Sequence, residues 1–239
     1  MRDIEFLGLV RNSKLAVFTP KDISRLIRRS PDYVYTYLNR LIRRNLISRI
    51  EQGKYSLPGT PIESVATNLL FPSYISFLSA FYYHKITVQI PRELTIVSIR
   101  SKKPIEYQGY IIKFVKFQPE KVFGYERNKN GYVWYLGSVE KSLTDSLYLP
   151  ENCSISDSLI AIKKGINSNK LIEYGIKMGS IVTLKRIGYL LDSVGIDVYD
   201  ILNPHLNGKY DPLDPILPKN GEKDKKWKLV INTEVENAH

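Results

Sequence analysis

Two residue pairs, Thr19-Pro20 and Ser30-Pro31, stand 11 positions apart and constrain this chain more than any other feature. Each sets a helix-capping hydroxyl ahead of a proline, whose fixed φ and missing N–H suit the first helical turn. Two helix starts this close leave room for one short helix and force a tight turn after it. In that helix Ile23, Leu26 and Ile27 make the apolar side, and Arg25, Arg28 and Arg29 point away. The preceding segment spaces Ile4, Leu7 and Val10 as a helix does and breaks at Asn12-Ser13-Lys14. The segment after Ser30 predicts a third helix, Pro31 to about Arg44, with Val34, Leu38, Leu41 and Ile42 on one face. Beyond Asn45 the period changes to alternation. Leu46 to Ile50, a turn at Gln52-Gly53, and Lys54 to Leu57 read as a short β-hairpin ended by Pro58-Gly59.

Three helices and a hairpin predict a winged helix-turn-helix domain over residues 1–60, whose third helix would enter a DNA major groove. The charge distribution points the same way. Residues 1–60 hold 12 Lys+Arg against 5 Asp+Glu, whereas 61–239 hold 23 against 19, so one quarter of the chain carries most of the formal +11. Such an excess fits a polyanion, since neutralised phosphates release counterions. Thr36, Asn39 and Arg40 are the expected base contacts; Arg43, Arg44, Arg28, Arg29 and Lys54 are the expected phosphate clamps. Asp32 is assigned to the helix dipole, and Tyr33, Tyr35 and Tyr37 to the margin of the core or to hydroxyl contacts with phosphates, as secondary candidates.

After the linker Pro58-Gly59-Thr60-Pro61, residues 61–239 read as a larger mixed α/β domain, a small sheet flanked by helices, giving an α+β fold class overall. Helices are expected over Ile62 to Leu70 and Tyr74 to Tyr83. Strands follow at Leu94 to Arg100, Tyr110 to Phe117 and, after a turn at Asn128 to Gly131, Tyr132 to Gly137. Helices return from Ser138, from Ser156 or Asp157, from Ser168 and from Ser180, and a last strand covers Trp227 to Asn232. No catalytic residue, metal site or cofactor is expected. The chain lacks any Glu-x-Lys of the restriction-nuclease type, any phosphate-binding glycine loop, and any His/Cys spacing for zinc. His84 reads as a helix-end residue, and the lone Cys153 forms no intrachain disulfide. The most apolar stretch, Asn68 to Tyr83, is broken by Pro72 and serines, so no membrane span or export signal is expected and the location is expected to be cytoplasmic.

Four segments carry a family resemblance: PSYISFLSAFYYHKITVQIPRELTIVSI from Pro72, FGYER from Phe123, SVEKSLTDSLYLPE from Ser138 and WKLVIN from Trp227. Together with the N-terminal domain they resemble the AbiEi-type antitoxin transcriptional regulators. Glu140, Lys141, Leu143 and Asp145 match the family pattern, and Val139 stands where that pattern has proline. The resemblance implies a non-enzymatic autorepressor that binds double-stranded DNA at its own operator and counteracts a nucleotidyltransferase toxin, often without stable contact between the two. A winged-helix regulator with a ligand-sensing or nuclease-like C-terminal domain is the alternative. The sequence has no heptad segment to fix a dimer, and leaves the oligomeric state open.

Overall fold

The computed structural model describes residues 2–234 and has a mixed α+β architecture. The described chain packs as two compact units, and they do not divide at Pro58–Pro61. The first comprises residues up to Ile75, Arg92–Phe117 and Glu126–Leu136; the second comprises Ser76–Pro91, Gln118–Tyr125 and the chain from Gly137 onward.

In the first unit, helices α1 (Asp3–Ser13), α2 (Pro20–Ile27) and α3 (Pro31–Arg43) precede a hairpin of β1 (Ser48–Glu51) and β2 (Lys54–Ser56). Their apolar faces close on Phe6, Val10, Phe18, Ile23, Val34, Tyr37, Leu38 and Leu41. Ile4, expected on the core side of α1, is 84% exposed, because Phe6 and Val10 at i, i+4 set the buried stripe. Thr19 caps α2 through a reciprocal box: its hydroxyl accepts from the Asp22 N–H at 3.3 Å, while the Asp22 carboxylate accepts from the Thr19 N–H at 2.8 Å. Phe18 adds a third short rung to the hairpin, exchanging backbone hydrogen bonds of 2.9 and 3.0 Å with Tyr55.

Next come α4 (Ile62–Asn68), β3 (Ser73–Ile75), α5 (Phe77–Tyr83), β4 (Glu93–Ser98), β5 (Ile105–Tyr107), β6 (Tyr110–Lys116), β7 (Tyr125–Asn130) and β8 (Tyr132–Gly137). The strands form a six-stranded mixed sheet in the order β5-β6-β4-β3-β8-β7. β3 is a correction to the expected helix from Tyr74. The residues after Pro72 are extended, and all three β3 side chains are buried between β4, antiparallel, and β8, parallel. The helix starts only at Phe77. The expected turn at Asn128 to Gly131 shrinks to Gly131, whose φ of +75° suits a residue without a Cβ. Four contacts tie the hairpin region to the rest of this unit. Lys54 Nζ donates to the Leu69 carbonyl at 2.6 Å, Ser56 meets Tyr107 at 2.5 Å, Lys102 donates to Glu51 at 2.5 Å, and Gln108 donates to the Thr60 carbonyl at 3.3 Å.

The second unit gathers α5 with α6 (Val139–Tyr148), α7 (Ile155–Lys163), α8 (Ser168–Met178), α9 (Ile181–Ser193) and α10 (Tyr199–Leu202). A three-stranded sheet of β9 (Asp211–Pro212), β10 (Glu222–Asp224) and β11 (Leu229–Ile231) completes it. α6 is buried almost end to end, including Lys141 and Asp145, which pair across one turn; Asp145 also accepts from the Ser76 hydroxyl at 2.7 Å. The caps are Ser138, Ser154, Asn167 and Ser180; the cap of α7 lies two residues before the expected Ser156 because Ser154 supplies the acceptor for the Asp157 N–H. The last strand is shorter than expected, and Trp227 ahead of it is fully buried, with Nε1–H donated to Asp192 at 2.9 Å. His84 ends α5, its Nε2 lying 2.7 Å from the Gly137 carbonyl. Among the described residues no helix is long and apolar enough to cross a membrane.

Candidate nucleic-acid interface

α3 is the element on which the expected site rests. Ser30 caps it, accepting from the Tyr33 N–H at 3.5 Å, and Pro31 occupies its first turn. Val34, Leu38 and Leu41 are fully buried. At about 3.6 residues per turn, Asp32, Thr36, Asn39 and Arg43 then fall on the opposite side, and all four are exposed. The helix is therefore fixed on one side by apolar burial and exposed on the other.

The structure sorts the expected contact residues into three groups. Thr36, Asn39 and Arg43 share the outward face. The Thr36 hydroxyl donates to the Asp32 carbonyl at 3.1 Å, which leaves its oxygen as an acceptor and its methyl free for apolar contact. Asn39 and Arg43 have no side-chain partner among the described residues. Arg28 and Arg29 lie in the turn between α2 and α3, both exposed. Arg28 takes the left-handed conformation that ends α2, and Arg29 lies over the Tyr33 ring at 5.9 Å.

Arg40, Arg44 and Lys54 are already held. Arg40 Nη2 lies 3.1 Å from Asp3 Oδ1 and its guanidinium stacks over Tyr37 at 4.8 Å; Arg44 Nη1 bonds the other Asp3 oxygen. Arg40 was expected on the reading face, but it sits one flank round the helix, where α1 supplies a carboxylate. Tyr37 also donates to Asp3 at 3.1 Å; burial and this bond push its phenol up to about 12. Lys54, expected as a phosphate clamp, is half-buried and committed to the Leu69 carbonyl and to Glu51 at 3.1 Å. Burial alone would raise the Glu51 carboxyl, but hydrogen bonds from Lys102 and Lys54 override it and hold Glu51 below the usual carboxylate range. The exposed cation of the hairpin is instead Arg49, which the sequence reading passed over; alternation in β1 was the available signal, since Ile50 next to it is buried.

Charge follows the units more sharply than it follows the sequence. The first unit carries 20 Lys+Arg against 9 Asp+Glu, the whole formal +11, and the second carries 15 against 15. The sheet segments add cations such as Arg92, Arg100, Lys103, Lys116, Arg127 and Lys129, all exposed. Among the described residues no group of three or more His, Cys, Asp and Glu could hold a metal ion. The second unit has a groove of about 770 Å³ beside its small sheet, lined by Tyr189, Glu222, Lys223 and Asp224.

No protein family and no curated protein matches the chain. Among solved structures it is similar to the crystal structure of the RV2827C protein from Mycobacterium tuberculosis, at 12% identity over 94% of this chain and 89% of that chain, with a TM-score of 0.63. At that identity the likeness is one of fold, and the fold the two share is a mixed α+β one.

Proposed function

We propose that the protein is a DNA-binding transcriptional regulator whose first three helices and hairpin act as a winged helix-turn-helix. The observation that carries this reading is the confinement of the whole net charge to the unit that presents α3. In this reading α3 enters the major groove with Thr36, Asn39 and Arg43 facing the bases and the nearest phosphates. Arg28, Arg29 and Arg49 grip the flanking backbone, which positions the protein without reading sequence. The second unit, neutral overall, has no share in the electrostatic grip. The motif resemblance extends the proposal: the DNA bound is the operator of the protein's own gene, and the second unit serves an antitoxin role against a nucleotidyltransferase toxin. Neither role calls for catalysis by this chain.

Binding of the purified full chain to duplex DNA from upstream of its own gene tests the reading, with titrations repeated over a range of salt. Tight, salt-dependent binding is expected. Asn39→Ala should cost about 1–3 kcal/mol and relax preference at one base position. Arg43→Ala should weaken binding to every sequence and flatten the plot of log K against log salt by roughly one unit. Equal binding by the wild type and an Asn39/Arg43 double alanine variant would remove α3 from the interface.

A further inference from the structure

Resting on that reading, we infer that Asp3 is a positioning residue that limits the sequence-independent grip on DNA: it ties Arg40 and Arg44 to α1, so that α3 meets DNA with Thr36, Asn39 and Arg43 alone. Three donors converge on one carboxylate. Oδ1 accepts from Tyr37 Oη and Arg40 Nη2, each at 3.1 Å, and Oδ2 accepts from Arg44 Nη1. The Asp3 side chain is only 15% exposed, while the two arginines remain 57% and 58% exposed. The carboxylate is thus the fixed partner, and the guanidiniums are drawn to it from solvent. Arg40 is held a second time by the Tyr37 ring beneath it, and that ring is itself fixed edge-on to Phe6 at 5.1 Å between centroids.

The consequence is electrostatic. Two cations one helical turn apart would ordinarily add two phosphate contacts, each contributing about 0.9 to the salt slope on duplex DNA. Such contacts strengthen binding to every sequence alike, raising the affinity for DNA at random without adding discrimination. Asp3 cancels one of the two charges and fixes the donor geometry of both. Arg43, three residues from Arg40 and facing away from α1, has no such tie. The helix and its C-cap therefore carry one free and two restrained arginines, and α1, which supplies no residue to the reading face, sets how tightly the protein grips DNA at random.

The test compares full-length variants on two duplexes, one from upstream of the protein's own gene and one scrambled to the same composition. Asp3→Asn keeps the size of the side chain and removes its charge. It should bind the scrambled duplex about 10-fold or more tightly at about 0.1 M salt, and steepen the salt slope by about one to two units on both duplexes. Adding Arg40→Gln and Arg44→Gln to Asp3→Asn should return the slope to that of the wild type. The same two glutamines in the wild-type background should change the slope by less than about half a unit, and this comparison decides the matter if circular dichroism shows Asp3→Asn unfolded. A wild-type slope for folded Asp3→Asn, or a slope flattened by about two units in the double glutamine variant, would overturn the inference. Absence of salt-dependent binding by the wild type itself would instead remove the DNA reading beneath it.

Discussion

Residue chemistry is where sequence and structure differ most. From the sequence Arg40 is expected at the bases and Arg43 and Arg44 at the phosphates, because helical periodicity assigns a face but not a partner. What separates Arg43 from Arg40 and Arg44 is Asp3, more than 35 positions earlier, and nothing in the local pattern announces that contact. The partners of Lys54, Leu69 and Glu51, are hidden from the sequence for the same reason, since they depend on how the hairpin meets the sheet. Cys153 is the opposite case, a residue whose behaviour one number conveys. It is 5% exposed, and burial pushes its thiol up to about 12, against weaker opposing hydrogen bonds from Ser146 and Ser158. In the folded protein it should fail to react with a disulfide reagent at about pH 8 and react fully in denaturant. Because the folded value lies above the ordinary 9.0, ionisation favours the unfolded chain. The contribution to stability is present below about pH 9 and lost as pH climbs towards about 12. Rapid labelling of the native protein would show that Cys153 is not enclosed.

Elements were legible wherever a cap or a long period marked them. Thr19-Pro20, Ser30-Pro31, Ser138 and Ser180 all start helices where expected, since a cap acts through neighbours within one turn. β3 and β5, three residues each, escape the sequence because short strands derive their state from pairing: Ser73–Ile75 is extended because β4 and β8 flank it. Close approach between elements gives a sharper test. Gly188 lies in α9 under Trp227, and a Cβ there would sit 2.1 Å from the indole Cζ3. Gly188→Ala, although it improves helix propensity, should therefore lower stability by about 1–3 kcal/mol through overpacking. Urea unfolding followed by tryptophan fluorescence reads this, and wild-type stability in the variant would mean that the Trp227 seat is loose.

At the scale of the whole molecule, the composition break at Pro58–Pro61 is real in charge and misleading in architecture. The ties from Lys54, Ser56 and Glu51 to Leu69, Tyr107 and Lys102 span that break, and Gln108 holds Thr60 within it. Fragments 1–60 and 61–239, which the linker suggests as independent domains, should each fail to reproduce the cooperative thermal transition of the full chain. Circular dichroism melts would show it, and a fragment melting at the full-length midpoint would restore the linker as a boundary. The reason is connectivity, for the chain passes from one unit to the other five times, at residues 75, 91, 117, 125 and 136. That interlacing bears on inheritance. A DNA-reading module held on a single linker is exchanged by one recombination event, whereas a unit assembled from three separated stretches would need several matched junctions at once. On the proposed DNA-binding reading, a change of target is therefore reached more readily by substitution at exposed positions such as Asn39 and Arg43 than by exchange of the whole unit.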